Sequence, residues 1–326
     1  MNPRLAAISV DLDEVGEYLS IHALPPFADT DSRRHAVYDR ALSRIDSWAG
    51  ALSVPITFFA VGRDLDRPDN AASLRTLAAR GHAVESHSLS HRYDLTRLSR
   101  AEMEREVTGG LDAVERAVGE RPTGFRAPGY TVCDTLFDVL EEAGVAFDSS
   151  VFPSPVYLGA KALVLAWMRA RGRSSASVLD TPRVLLSPNV PYRPGRPYYR
   201  PTHGRSHEGD SPRGGESQRR GLVELPIQVT PLLGFPVIGT SVGRAGQRGA
   251  ELLAHLCSTS PLVNLELHGM DFLAAEDLAP HPLSRLQPEL RAPLDLRLSR
   301  LTAFVEVLRR RGFTFVTLAE AAAHFG

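Results

Sequence analysis

Short apolar runs alternate with helical stretches along most of this 326-residue chain. That alternation limits the fold more than any other feature. The runs at 5–10, 54–62, 82–84, 145–147, 222–226, 262–267 and 313–316 are too short for helices and read as buried strands. Between them lie stretches with helical spacing at 33–51, 70–80, 134–144, 246–257, 294–312 and 318–324. The clearest helix is 99–119. Ser99 serves as N-cap, Met103, Val107, Leu111, Val114 and Val118 form one apolar face, and Gly119 fits the end. Strand and helix in turn predict a parallel sheet or barrel, and the length suits one α/β barrel.

Polar groups of catalytic type follow the strand-like runs. Asp11 and Asp13 end the first, and His87 and His91 follow the third. Arg126 sits before a Pro-Gly turn, Asp148 ends the 145–147 run, and His268 ends the 262–267 run. Catalytic groups of α/β barrels gather at such C-terminal strand ends. Two histidines four apart lie on one face if the backbone there is a helical turn, and both then reach one cation. Such spacing also arises by chance, and aspartates after strands often cap turns. The coincidence of all these groups at strand ends is what gives them weight.

At these residues the chain resembles the polysaccharide deacetylases, the NodB-homology carbohydrate esterases. The segments that carry the likeness are Val10-Asp11-Leu12-Asp13, His87-Ser88-Leu89-Ser90-His91, Arg126-Ala127-Pro128-Gly129, Asp148 and Leu267-His268. The first is similar to the Asp-x-Asp variant of that family's opening motif. The resemblance implies a deformed (β/α)7-type barrel over residues 1–326, interrupted by a long Pro/Arg-rich insertion at 154–221. It implies Asp13, His87 and His91 as metal ligands, Asp11 as general base and Arg126 as its orienting partner. It further implies the Gly129 N–H as oxyanion donor, His268 as general acid and Asp148 as the group that tunes His268. The family carries a tryptophan beside that aspartate where this chain has Ser149.

The chemistry is coherent without the family. Amide hydrolysis needs a nucleophile, a sink for the oxyanion and a proton for the amine. A zinc-type ion held by one carboxylate and two imidazoles polarises the carbonyl and brings its water to a pKa near ~7. Zn2+ is the expected metal, with Co2+, Mn2+ and Ni2+ as alternatives. The expected reaction removes an acetyl or formyl group from the nitrogen of an amino sugar. Hydrolysis of a small non-sugar amide or cyclic ureide, and a non-catalytic carbohydrate-binding role, are the rival readings. A Cys133–His82 nucleophile lacks any orienting motif.

Bulk properties bound the rest. Hydrophobic residues make up 43%, enough for a sizeable core, and the two cysteines form no disulfide framework. The N-terminus shows no secretory pattern and no run is long enough to span a membrane, so a cytoplasmic enzyme is expected. Between residues 161 and 220 twelve Lys/Arg face four Asp/Glu, so this segment is net +8 while the remainder is net −9. The hydrophobic stretch 156–168 with Trp167 precedes it, and 187–220 is rich in Pro, Tyr and Arg. Docking of this region on the anionic inner membrane face, with the loop gripping a lipid-linked, phosphate-bearing sugar, is the expectation it raises. A core helix followed by a surface loop is the plainer one. No nucleic-acid module is recognisable.

Overall fold

Eight parallel strands build one curled sheet in the computed structural model, which describes residues 3–202 and 221–326. They are β1 (Arg4–Asp11), β2 (Ile56–Ala60), β3 (Ala83–Ser86), β4 (Gly124–Phe125), β5 (Phe147–Asp148), β6 (Val223–Glu224), β7 (Leu262–His268) and β8 (Phe313–Phe315). Their order is β6-β5-β4-β3-β2-β1-β7, with β8 beside the first residues of β1. The Gln228 N–H donates to the Asn264 carbonyl at 3.1 Å, and the Asn264 amide donates to the Leu225 carbonyl at 3.0 Å. The segment after β6 is thereby brought to β7, giving the expected deformed (β/α) barrel.

Twelve α-helices accompany the strands: α1 (Val15–Ile21), α2 (Leu42–Leu52), α3 (Pro68–Ala79), α4 (Arg100–Val118), α5 (Asp134–Glu142), α6 (Pro155–Ala170), α7 (Gly239–Arg244), α8 (Gly246–Cys257), the single turns α9 (Ala275–Leu278) and α10 (Leu283–Leu286), α11 (Leu294–Arg310) and α12 (Leu318–Phe325). Helix α4 begins with a reciprocal Ser99–Glu102 capping box and ends at Gly119 with φ +90°, as its sequence implies.

The period of two along β1 and β7 sets up the site. Ala6, Ile8 and Val10 pack outward with Val263, Leu265 and Leu267 into the main core. Leu5 and Ala7 point the other way, where Phe59, Leu262 and Leu318 plug the base of the barrel. Above that plug the matched pairs are Ser9 with Glu266 and Asp11 with His268. The inward row therefore changes from apolar to polar to ionisable as it approaches the C-terminal strand ends.

Two elements depart from the sequence expectation. The apolar stretch 156–168 lies in helix α6, but α6 is no core helix, since Met168 is its only buried residue. Two tyrosines of the basic segment, Tyr192 and Tyr198, are not free to grip a ligand. Tyr192 and Tyr198 are buried; Tyr192 exchanges backbone hydrogen bonds with Glu224, and Tyr198 stacks on Phe137 at 5.5 Å. The remainder of the expected loop, from residue 203 to 220, lies outside the described residues. Among the described residues no helix is long and apolar enough to cross a membrane.

Candidate active site

The end of β1 delivers Asp11 and then Asp13, both buried. The histidine pair follows β3, but residues 87–91 form an irregular loop, not the helical turn that their spacing suggested. Ser88 and His91 both adopt left-handed backbone, with φ +65° and +55°. Helix α4 moulds this loop. The Leu89 N–H donates to the Glu106 carbonyl at 2.9 Å, and the Glu106 carboxylate accepts from the Ser90 N–H and hydroxyl at 2.9 and 2.6 Å. Gly110 lets the loop lie this close, because a Cβ there would stand 2.7 Å from the Ser88 carbonyl carbon.

In this loop conformation both imidazoles converge on Asp13. Asp13 Oδ1 lies 3.3 Å from His87 Nε2 and 3.2 Å from His91 Nε2. The opposite ring nitrogens are already committed. His87 Nδ1 is 2.7 Å from the Arg126 carbonyl, which can only accept, so Nδ1 carries the proton. His91 Nδ1 is 3.0 Å from Glu17 Oε2, and the same reasoning applies. Both Nε2 atoms are then lone-pair acceptors facing a third acceptor. Asp13 Oδ1, His91 Nε2 and Asp11 Oδ2 are buried without a hydrogen-bond partner among the described residues. Three acceptors around one point, with no donor between them, fit a divalent cation, and the donor set suits zinc.

Arg126 is wholly buried and almost fully satisfied. It donates to Asp11 Oδ1 at 2.7 Å, to the Ser9 and Ser149 hydroxyls at 2.9 and 2.8 Å, and to the Ser149 carbonyl at 2.8 Å. Its guanidinium also covers the Phe59 ring at 4.2 Å. Asp11 is thus held through one oxygen while the other faces the histidine cluster, 3.8 Å from His87 Nε2. Gly129 follows on the same loop with φ +65°, where a Cβ would meet the Tyr93 ring at 2.9 Å.

His268 stands beside Asp11 in register and looks into the cavity. Its Nδ1 is 2.9 Å from Glu266 Oε1, and its Nε2 is 3.2 Å from the Tyr130 hydroxyl and 3.8 Å from Asp13 Oδ2. Burial alone would push the imidazole down; the negative charge of Glu266 beside it outweighs that and raises it well above its usual value. Asp11, Glu266 and His268 are close enough to form a second acidic cluster. A protonated imidazole between two carboxylates accounts for it without a cation.

Asp148 does not partner His268. Its carboxylate accepts from the Ser150 hydroxyl at 2.7 Å and the Ser150 N–H at 3.1 Å. It shares a buried pocket with Glu224, which burial and the Asp148 charge push well above the carboxylate range. Glu266, in the place given to Asp148, was visible as the middle of an alternating polar row in an apolar strand, Asn264, Glu266 and His268. Tyr130 adjoins Gly129 but carries no motif of its own, and Glu17 lies 74 positions from the histidine it braces.

The comparisons with known proteins agree with this geometry. The family model described as polysaccharide deacetylase matches residues 44–147, the segment with His87, His91 and Arg126. This match covers less than half of the chain and is a likeness to that family over that segment. Solved structures extend the likeness to the whole fold. A protein assigned to the polysaccharide deacetylases from Mycobacterium smegmatis superposes with a TM-score of 0.61 at 19% identity, over 100% of this chain and 91% of that one. Puue allantoinase gives 0.56 at 16% identity, over 99% and 91%. A protein from Pseudomonas aeruginosa PAO1 described as a probable polysaccharide deacetylase gives 0.53 at 16%, over 99% and 91%. At such identities these structures speak for the fold alone. No curated protein matches the sequence.

Proposed function

We propose that this chain is a polysaccharide deacetylase-like, metal-dependent hydrolase that removes an N-acyl group, acetyl or formyl, from an amino sugar. The observation that carries the proposal is the set of buried acceptors with no donor between them at Asp13, His87 and His91. These three residues would hold the cation. When bound, it supplies positive charge that polarises the amide carbonyl and makes water acidic enough to attack at neutral pH.

The chain's own residues do the rest. Asp11, oriented by Arg126 through Oδ1, keeps Oδ2 free to take the proton of the attacking water. The backbone N–H of Gly129, at the cavity wall, donates to the developing oxyanion. His268, kept protonated by Glu266, hands its Nε2 proton to the departing amine. The Tyr130 hydroxyl beside that nitrogen fixes the ring's direction. A protonated imidazole and an ionised carboxylate side by side are the pairing that such proton traffic needs.

Metal analysis joined to release of acetate or formate from N-acylated sugars tests the proposal. Protein that carries about one equivalent of divalent metal and loses both turnover and metal on chelation supports it. Full activity in metal-free protein would overturn it.

A further inference from the structure

The catalytic groups occupy only the floor of a cavity of about 880 Å³. Above them the walls are mostly apolar, with Val156, Ala160 and Val164 of α6 on one side and Phe235, Ile238 and Leu252 on another, while Thr240, Arg244 and Gln287 supply polar groups. A second hollow of about 380 Å³ continues past Val164, bounded by Leu163, Trp167, Met168 and Leu286. The two hollows share His22 and Val164, so they form one path along α6.

Helix α6 has no core to explain its composition. Leu163 is 73% exposed, Val164 54% and Trp167 49%, on a helix that buries only Met168. The helix has no acidic residue, and its charged residues are Lys161 and Arg169. Lys161 also lines the cavity, but its ammonium is engaged by the Gly129 carbonyl at 3.1 Å, beside the catalytic floor. A sugar chain would require hydrogen-bonding groups along such a wall, and this wall offers few. Contiguous exposed apolar surface marks a site that something else covers.

We propose that the path along α6 binds the hydrocarbon chain of an amphiphilic amide substrate, with the amide itself on the floor beside Asp11, Asp13 and His268. This rests on the hydrolase reading and narrows its substrate to an amide joined to a long alkyl or prenyl chain. Continuity with the catalytic floor decides for a substrate chain, because Val156 and Val164 line the same space as Asp11 and His268. From Val156 to Trp167 the helix rises roughly 16 Å, room for a chain of about ten carbons or more.

Two substrate series test this, each kept below its micelle concentration. One is N-acyl glucosamine from acetyl to dodecanoyl; the other is alkyl N-acetylglucosaminide from methyl to dodecyl. In one of them kcat/KM should rise on the order of fourfold per buried methylene and then level off when the path is full. Binding is read separately in Asp11→Asn protein, where dodecyl N-acetylglucosaminide or dodecanoyl glucosamine should shift tryptophan fluorescence. Trp167→Phe should abolish that shift, since Trp48 is buried elsewhere. Val164→Asp, at an exposed position that leaves the far-ultraviolet dichroism unchanged, should remove most of the gain in both readouts.

Flat series with the short parent hydrolysed would overturn the proposal, as would a chain-length gain that survives Val164→Asp. Flotation on anionic phospholipid vesicles with flat series would assign α6 to a membrane surface instead, and a dimer that buries Trp167 would assign it to a second copy. Fluorescence shifts without hydrolysis of any member would keep the chain site and remove the hydrolase reading.

Discussion

The floor and the wall of the cavity are built on opposite principles. The floor residues come from or just after parallel strands, are buried except for the half-buried His268, and are braced by partners: Arg126 by four hydrogen bonds, His87 by a carbonyl, His91 by Glu17, His268 by Glu266. The α6 wall comes from a helix between strands, is largely apolar, and is held through Met168, through Tyr157 against Phe152 and Tyr130, and through Lys161 on the Gly129 carbonyl. On the proposed reading, sheet ends fix the chemistry, whereas a helix that contributes little to the core decides what is admitted. If that contrast is right, substitutions on the floor should abolish turnover or folding, and those on the wall should change preference.

The largest effect is expected at Asp11. Asp11→Asn should lower kcat on the order of 10³-fold or more while metal content stays at the wild-type level. His87→Ala should do the reverse in kind, stripping the metal, as elemental analysis of purified protein would show. A near-normal rate in Asp11→Asn would remove the base assignment and blur the distinction between the two halves of the floor.

Next comes Arg126. Arg126→Met leaves the Asp11 charge buried without its cation and should cost about 3–5 kcal/mol of stability, measured by urea unfolding. A cost near that of a surface substitution would mean that the floor is not braced as its hydrogen bonds suggest.

Glu266→Gln should act more gently, with a loss of about 10–100-fold in kcat/KM. Its pH dependence carries a sign. Glu266 raises the His268 pKa, so the protonated acid persists to higher pH; a neutral neighbour lets that pKa fall. The alkaline limb of the kcat/KM profile should therefore move to lower pH, and Glu266→Asp should restore part of the shift. An unmoved limb would mean that His268 is not the acid.

The smallest effect is expected beyond the wall. Leu232 is 97% exposed, and Leu232→Ser should change unfolding stability by no more than about 0.5 kcal/mol.

The same contrast explains what the sequence could tell. Strand ends are legible because an apolar run stops abruptly at a charged residue. Asp11, Asp13, the histidine pair, Arg126 and His268 could thus be listed before any coordinates, and the barrel followed from the alternation. Partnerships were less legible. Asp148 and Glu266 are both carboxylates near strand ends, and only the curl of the sheet decides which one meets the imidazole. Glu17 reaches His91 from a helix with no local pattern that points there. The exposure of α6 was left open between two readings, an exposed docking helix and a core helix: a run of leucine, valine and alanine suits both, and whether anything covers it is a property of the rest of the molecule.

The closeness of the histidine loop to α4 at Gly110 has a consequence for how the cation site can change. A single methyl group added on the helix, contacting no ligand atom, would have to lift Ser88 and with it both imidazoles. On the proposed reading, affinity for the ion is under the control of a position that a scan of the cavity lining would pass over, and a relative of such an enzyme could keep all three ligands and still be empty.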